Sequence, residues 1–153
     1  MSQPPSRRGG RNDPHLLAWR SLMELHMQLT SLFDTEFQEQ CDIDLSTYDT
    51  LLHVNEAGTE GIGMTDLSKR LVVSKSGLTT MIDRLEKRGL LRRVPDAADR
   101  RAIRVAITDE GYKLFRSAAK VHMASVDSNF SKHITDNEAQ MIIDIVDRIR
   151  PAD

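Results

Sequence analysis

With 153 residues, 39% of them hydrophobic and 29% charged, the chain is long enough for one compact domain or two small lobes that share a core. It has no run of roughly 20 apolar residues and no signal-peptide pattern, and its one cysteine, Cys41, rules out an internal disulfide framework, so a cytoplasmic protein without membrane spans is expected. The formal net charge of −2, taken alone, argues against a nucleic-acid partner.

The chain opens with a polar arm that leads into a long helix. Residues 1–12 are rich in Pro, Gly, Ser and Arg and lack apolar periodicity, which predicts a disordered arm; its arginines leave a contact with nucleic acid open. From Pro14 to Gln40 apolar residues recur at spacings of three and four, and Asp13 supplies an N-cap before the proline. The apolar surface of this helix is wide, which favours burial against a second chain over a purely intrachain core.

A second helix is predicted from Ser46 to about Ala57. Ser46 stands three residues before Asp49, a spacing that resembles a capping box, and Gly58 ends the helix. The following segment, residues 61–64, is long enough only for a minor strand.

Two further helices with a tight turn between them are predicted from residue 65 to residue 88. Thr65 is expected to cap the short first helix, which ends at Leu71, and Ser74 to cap the second. Gly89 then suits the left-handed position that ends a helix. This arrangement is a helix-turn-helix.

The remaining elements are a β-hairpin and two helices. Strands are predicted at residues 90–94 and 101–107, and Ile103, Val105 and Ile107 should share one apolar face. Thr108 is expected to cap a helix that reaches about Lys132, and Thr135-x-x-Glu138 is a capping box for the last helix. The order of elements predicts a mainly α protein with a small β-hairpin wing, and it excludes a parallel α/β sheet.

Positive charge is concentrated in the middle of the chain. From Thr65 to Ile107 there are eleven basic and five acidic residues, a local charge of +6, whereas the remainder carries −8. A basic segment in an acidic protein is typical of a phosphate-binding surface, and a solvated charged face is the alternative.

The basic segment contains the candidate DNA-binding residues. Small polar side chains at the start of the second helix-turn-helix helix permit close approach to the floor of a major groove, and Arg84 lies further along. Whether Arg84 would contact a base or a phosphate is open. In the hairpin, Arg101 could enter a minor groove while Asp99 pairs with it and aims it. The candidates are Ser74, Lys75, Ser76, Thr79, Thr80, Arg84, Asp99 and Arg101.

Residues 45–111 resemble the MarR family of bacterial transcriptional regulators. The resemblance rests on several motifs at the separations of that family rather than on one of them. The motifs are Ser74-Lys75-Ser76 with Thr79-Thr80, Asp83-Arg84-Leu85-Glu86-Lys87-Arg88-Gly89-Leu90, Asp99-Arg100-Arg101, and Ile107-Thr108-x-x-Gly111.

The resemblance implies a homodimer that binds double-stranded DNA. Residues 13–44 and 108–153 would form an intertwined dimerisation region, and residues 45–107 the winged helix-turn-helix lobe. Two recognition helices would enter successive major grooves of a pseudo-palindromic operator. By analogy the protein would be a repressor, released from DNA by a small aromatic or phenolic ligand bound between the two regions.

Candidate ligand contacts lie near the start of the first helix, with one on the second helix. Aromatic walls beside a cationic group suit an aromatic carboxylate, although ordinary packing explains Trp19 and Met23 equally well. The candidates are His15, Trp19, Arg20, Met23, His26 and His53.

Other function classes find less support in the sequence. There is no Gly-rich phosphate loop or nucleophile elbow, so an enzyme is not expected, and no cofactor is expected either. The five histidines are scattered, which disfavours a metal site, and acids beside Cys41 disfavour a reactive thiolate. A winged helix used for protein–protein contact remains the main alternative.

Overall fold

The computed structural model describes residues 13–97, 99 and 102–150. The predicted arm, residues 1–12, and the wing residue Arg101 lie outside this part of the chain. The elements in chain order are α1 (Pro14–Cys41), α2 (Leu45–Glu56), β1 (Ile62–Gly63), α3 (Met64–Leu71), α4 (Lys75–Lys87), β2 (Leu91–Pro95), β3 (Ile103–Ile107), α5 (Asp109–Asn129), a 3-10 turn (Ser131–His133) and α6 (Asp136–Ile149). The fold is mainly helical with a small antiparallel sheet, as predicted.

Most helix starts follow the predicted caps, because a cap is a local interaction between neighbours in sequence. The side chains of Asp13, Ser74 and Thr108 each accept a hydrogen bond from a backbone N–H in the first turn of their helix. Thr135 and Glu138 form the full capping box of α6. Gly89 has a φ of +74°, the left-handed conformation expected after α4.

Two predicted caps are wrong. α2 begins at Leu45, and its N-cap is Asp44, whose Oδ1 accepts from the N–H of Thr47 at 2.7 Å; Ser46 lies inside the first turn. α3 begins after Gly63 without a side-chain cap, so Thr65 lies inside that helix. In both cases the helix starts earlier than the cap pattern suggested. At α2 Asp44 and Ser46 could both serve as caps, whereas α3 starts without any capping side chain.

The ends of the later elements also differ from the prediction. α5 ends at Asn129 rather than near Lys132, because Phe130 leaves the helical conformation and a 3-10 turn follows. In the sheet, β3 lies between β1 and β2, with Leu91 opposite Ile107 and Pro95 opposite Ile103. The predicted apolar face is wrong at Ile103, which is 49% exposed, because this end of the hairpin extends beyond the core.

The described residues form two hydrophobic clusters. The larger joins α2, α3, α4 and the sheet and is centred on Leu51, Leu67, Ile82 and Val105. The smaller joins α1, α2 and α5 around Phe37, Ile43, Tyr48 and Ala118. Leu114 and Phe115 of α5 pack against both clusters, so α5 is connected to each of them.

The start of α5 is fixed against the residues that directly precede β2. The Thr108 hydroxyl donates to the carbonyl of Gly89 at 2.6 Å, and its oxygen accepts from the N–H of Gly111 at 3.0 Å. A Cβ added to Gly111 would lie 2.0 Å from the carbonyl oxygen of Leu90. Only glycine therefore lets α5 begin this close to the sheet.

Within the part of the chain that the structure describes, two helical surfaces are apolar and exposed. No residue of α6 is buried, and the first half of α1 is exposed throughout. None of the described helices is long and apolar enough to cross a membrane. The large exposed apolar residues of the two surfaces are Leu16, Leu17, Trp19, Leu22, Met23, Leu25 and Met27 on α1 and Met141, Ile142, Ile143, Ile145, Val146 and Ile149 on α6.

Candidate nucleic-acid interface

The first turns of α4 present polar side chains to solvent. Leu78, Ile82 and Leu85 are buried on the opposite face of the helix and anchor it to the larger cluster. The hydroxyls of Thr79 and Thr80 donate to the carbonyls one turn back, at 2.9 and 3.2 Å, which leaves their oxygens free to accept. The exposed residues of this surface are Ser74, Lys75, Ser76, Thr79 and Thr80.

Arg84 lies further along α4 and contacts the start of α2. Its Nη2 is 3.2 Å from Oδ2 of Asp44 and 3.1 Å from Oγ1 of Thr47. Partial burial alone would raise the pKa of Asp44, but hydrogen bonds from Thr47 and the charge of Arg84 outweigh it, so the pKa is lowered. Asp44 thus caps α2 and also pairs with Arg84, a role that the sequence analysis did not identify.

The end of α4 is attached to the connection between α1 and α2. Arg88 donates through Nη2 to the carbonyl of Asp42 at 3.1 Å. Asp42 ends α1 with a φ of +54°, a conformation that turns the chain towards α2. Arg84 and Arg88 therefore attach the second half of α4 to the segment around the start of α2. The polar side chains of the first turns of α4 are exposed to solvent.

A second group of ion pairs joins α4 to the sheet. Arg93 of β2 pairs with Glu86 and lies 2.6 Å from Oδ1 of Asp83, and its backbone N–H donates to Glu86 at 3.0 Å. Hydrogen bonding to Asp83 contributes most to a raised pKa of Arg93, so this guanidinium stays charged. Two of the acids within the basic segment, Asp83 and Glu86, are thus paired with Arg93 on the protein itself.

Several cations of the basic segment are available to a ligand. Among the residues that the structure describes, they are exposed and make no hydrogen bond or ion pair through their side chains. They can therefore bind phosphate without first giving up a protein partner. They are Lys69, Lys75, Lys87 and Arg92.

The loop between β2 and β3 is closed by Asp96. Oδ1 of Asp96 accepts from the N–H of Asp99 at 3.1 Å, and the N–H of Ala102 donates to the carbonyl of Asp99 at 2.9 Å. Asp99 is therefore held in the wing loop. Its pairing with Arg101 falls on a residue outside the described part and stays a prediction.

The candidate ligand contacts lie in two places. His15, Trp19, Arg20, Met23 and His26 all lie on the exposed first half of α1, and Trp19 is 62% exposed. Nδ1 of His15 lies 3.0 Å from the capping carboxylate of Asp13.

His53 lies apart from this set in its contacts. Its Nδ1 is 3.2 Å from Glu56, which also lies 3.6 Å from Arg70. No hydrogen bond, ion pair or ring contact among the described residues joins His53 to the candidates on α1.

His122 of α5 was missed by the sequence analysis. Its ring lies among the aromatic rings of α1 and α2, 4.9 Å from that of Phe33 and 5.1 Å from that of Tyr48. Its Nδ1 is buried and has no hydrogen-bond partner among the described residues. Nearby, burial raises the pKa of Asp49 against the opposing charges of His53 and His122. The only sequence signal for a buried His122 is its position directly after Val121, a residue of the apolar stripe of α5.

Cys41 lies partly buried at the end of α1. Burial raises the pKa of its thiol, against a hydrogen bond with Ser117 that lowers it. This direction agrees with the expectation that Cys41 is not a reactive thiolate.

Comparisons with known proteins place the same segment in one family. A family model described as MarR family matches residues 42–102. The transcriptional regulator HosA of Escherichia coli O157:H7 is 31% identical over 129 residues, which cover 84% of this chain and 91% of HosA. The HTH-type transcriptional regulator PecS of Dickeya dadantii is 34% identical over 77 residues, 50% of this chain and 46% of PecS.

A solved structure extends the similarity to the whole fold. The structure of Sco3205, a MarR family transcriptional regulator from Streptomyces coelicolor in complex with DNA, has a TM-score of 0.81 and 27% identity. The match covers 90% of this chain and 92% of that one. The fold of this chain therefore agrees with that of a protein whose structure was solved in complex with DNA.

Proposed function

The chain belongs to the MarR family of transcriptional regulators, and from this membership we propose that two copies form a repressor that binds a pseudo-palindromic operator and leaves it when a small aromatic acid or phenol binds. The protein would act in the cytoplasm, and its role would be regulatory rather than catalytic. The observation that carries the proposal is the exposed polar start of α4, supported from behind by a buried core.

The DNA-binding part of the proposal assigns α4 to the major groove. Ser76, Thr79 and Thr80 are short enough to approach base edges, and the N-terminus of α4 favours a phosphate. Ser74 and Lys75 would contact the backbone at the same place. Arg84 would join them from its position beside Asp44, and Asp99 would aim Arg101 into the minor groove. The similarity to Sco3205, a protein solved in complex with DNA, supports DNA as the partner of this fold.

The homodimer would be formed by α1, α5 and α6. An apolar helix face without a buried residue, such as that of α6, is unfavourable in water and is typical of an interface. The first half of α1 offers a second such face. We assign residues 13–44 and 108–153 to dimerisation and residues 45–107 to DNA binding.

The effector would bind where the dimerisation helices meet the DNA-binding lobe. Trp19 and Met23 would supply apolar walls, and Arg20 a cation for a carboxylate. His15, His26 and His53 are further candidates. The buried Nδ1 of His122, which has no hydrogen-bond partner among the described residues, adds a polar group in the aromatic cluster. To cause release, the ligand must bind the DNA-free form more tightly than the DNA-bound form.

The primary experiment is a fluorescence-anisotropy titration at several salt concentrations. The probe is the duplex that flanks the gene of this protein, and the control is a scrambled duplex of the same composition. Tight binding that prefers the native duplex and weakens steeply with salt is expected. Weak, equal binding to both duplexes, together with capture of a protein partner, would instead support the protein–protein alternative.

The effector is tested on the same complex. Trp19 is the only tryptophan, so an aromatic acid bound near it should quench the fluorescence of the protein. Salicylate and 4-hydroxybenzoate are suitable probes of this chemical class. If compounds that quench Trp19 never lower the affinity for the duplex, the proposed release mechanism is wrong.

A further inference from the structure

Arg104 connects three segments at the base of the wing. It lies in β3, and its guanidinium donates through Nε to the carbonyl of Glu60 at 3.0 Å and through Nη2 to the carbonyl of Gly61 at 2.6 Å. Its Nη1 lies 3.0 Å from Oδ2 of Asp96, at the end of the hairpin. The side chains of Arg104 and Asp96 are only 32% and 18% exposed, so this pair is partly shielded from water and salt.

The backbone before β1 is shaped to receive this guanidinium. Gly61 has a φ of +71°, and a Cβ at this position would lie 2.3 Å from the carbonyl oxygen of Val105. The loop therefore lies directly against β3, which brings two adjacent carbonyl oxygens to one side of Arg104. A planar, forked guanidinium can bind two carbonyls and a carboxylate at once, whereas the single ammonium of lysine cannot match that geometry.

The hydrogen bonds continue from Arg104 into the wing loop. Asp96 contacts Arg104 through one carboxylate oxygen and the N–H of Asp99 through the other. The N–H of Asp96 also donates to the carbonyl of Ala102 at 3.1 Å. A continuous series of hydrogen bonds thus runs from Gly61, in the loop before β1, through Arg104 and Asp96 to Asp99. In the sequence, Asp99 stands two residues before Arg101.

We propose that Arg104 is a positioning residue that sets the orientation of the wing relative to the helix-turn-helix. The lobe side of the contact consists of backbone carbonyls on a loop packed against β3, so it is fixed. The wing side is Asp96, which holds the loop that carries Asp99. Arg104 thereby determines how Asp96 and the wing loop lie relative to α4. The effect on DNA rests on the proposed function, whereas the effect on the wing itself does not.

The wing effect is tested first, by hydrogen exchange in the protein without DNA. Arg104→Met removes the charge and the three bonds and keeps the apolar stem. Arg92→Met is the matched control, because Arg92 lies on the neighbouring strand, is exposed, and makes no side-chain hydrogen bond to a described residue. We expect the amides of Asp96 and Ala102 to exchange about tenfold faster in Arg104→Met than in the control. Equal exchange in the two variants would overturn the proposal.

The DNA effect is tested with duplexes selected by the wild-type protein from a randomised pool. Arg104→Met should lose the base preference at the outer positions beneath the wing and keep the preference at the central positions contacted by α4. Arg104→Lys should recover the overall affinity in part but not the outer preference. Uniform loss at all positions, with the salt slope lower by about one and full rescue by lysine, would make Arg104 a phosphate ligand instead.

Asp96→Asn distinguishes positioning from a general loss of stability. Asparagine keeps an oxygen to accept from the N–H of Asp99 but loses the charge that attracts Arg104. The double variant Asp96→Asn with Arg104→Met should bind DNA no worse than Arg104→Met alone, because both substitutions break the same contact between Arg104 and Asp96. Additive losses would contradict the proposal. If the wild type selects no duplex, the proposed function fails, and the exchange result still decides the role of Arg104 in the wing.

Discussion

The carboxylate of Asp44 lies 3.2 Å from the guanidinium of Arg84, and the same carboxylate caps α2. The proposed recognition helix is thus attached to the N-terminus of the helix behind it. One acidic residue therefore serves both the stability of α2 and the placement of α4, and the two roles can be separated by substitution.

Replacement of Asp44 should separate the cap from the ion pair. Asp44→Ala removes both and should lower the free energy of unfolding by about 1 kcal/mol, whereas Asp44→Ser keeps a capping oxygen and should cost less. Because the pKa of Asp44 is lowered on folding, its contribution is present above the ordinary pKa of about 3.9 and is lost as the pH falls through the folded pKa. Urea unfolding at several pH values measures this. Equal losses for both variants would mean that the cap contributes nothing.

Arg84→Ala should weaken binding to the native duplex, because it removes a cation from the face of α4. If affinity falls equally for all sequences, Arg84 binds a phosphate; if discrimination is relaxed at one operator position, Arg84 contacts a base. Arg116→Ala is the matched control, because it removes the same charge from an exposed position on α5. Unchanged binding by Arg84→Ala would restrict Arg84 to its contact with Asp44.

Asp49→Asn should stabilise the protein at neutral pH. Burial raises the pKa of Asp49 in the folded state, so the stability of the wild type falls as the pH rises from about 3.9 through the folded pKa. Asparagine does not ionise and avoids this loss. The difference in the free energy of unfolding should be largest near pH 7 and vanish in acid. A less stable variant at pH 7 would show that the charges of His53 and His122 outweigh the burial of Asp49.

Gly111→Ala should destabilise the fold, although alanine is the better helix former by about 1 kcal/mol. The added Cβ would lie 2.0 Å from the carbonyl oxygen of Leu90, so α5 would have to move away from the sheet. We expect the free energy of unfolding to fall by about 1–3 kcal/mol. Thermal and urea unfolding measure the effect, and an increase in stability would contradict the close approach of α5 to β2.

If the proposed homodimer forms through α6, Ile145→Glu should shift it to monomer in sedimentation velocity, because the variant places a charge in the apolar face of this helix. Asn137→Glu is the control, since it adds the same charge in the first turn of α6, where the helix dipole favours an acid. The control should remain dimeric. A dimeric Ile145→Glu would exclude this part of α6 from the interface.

The sequence predicted those parts of the fold that depend on near neighbours. Ser74, Thr108 and Thr135 cap their helices as expected, because each cap involves residues within three positions. The same rule failed at Ser46, because Asp44 is an equally good cap two residues earlier and periodicity does not distinguish them. The general location of the polar face of α4 also followed from its spacing.

Contacts between distant segments could not be predicted in the same way. Arg104 bonds to residues 43 and 44 positions away, and in the sequence it is only one more arginine in a basic strand. The pairing of Arg84 with Asp44 spans 40 residues and depends on how α2 and α4 pack. Ile103 is exposed because its end of the hairpin extends beyond the hydrophobic core. The alternation of apolar residues along the strand does not show how far the core extends.

The placement of the larger hydrophobic cluster has a genetic consequence. This cluster is built within one chain, whereas the apolar faces of α1 and α6 lie elsewhere on the molecule. In the proposed homodimer, a chain altered only at Ser76 or Thr80 would keep those faces and still associate with an intact copy. Since the proposed pseudo-palindromic operator needs two competent lobes, such mixed pairs would bind it poorly. In a cell that makes both chains, the altered allele should therefore be dominant over the intact one.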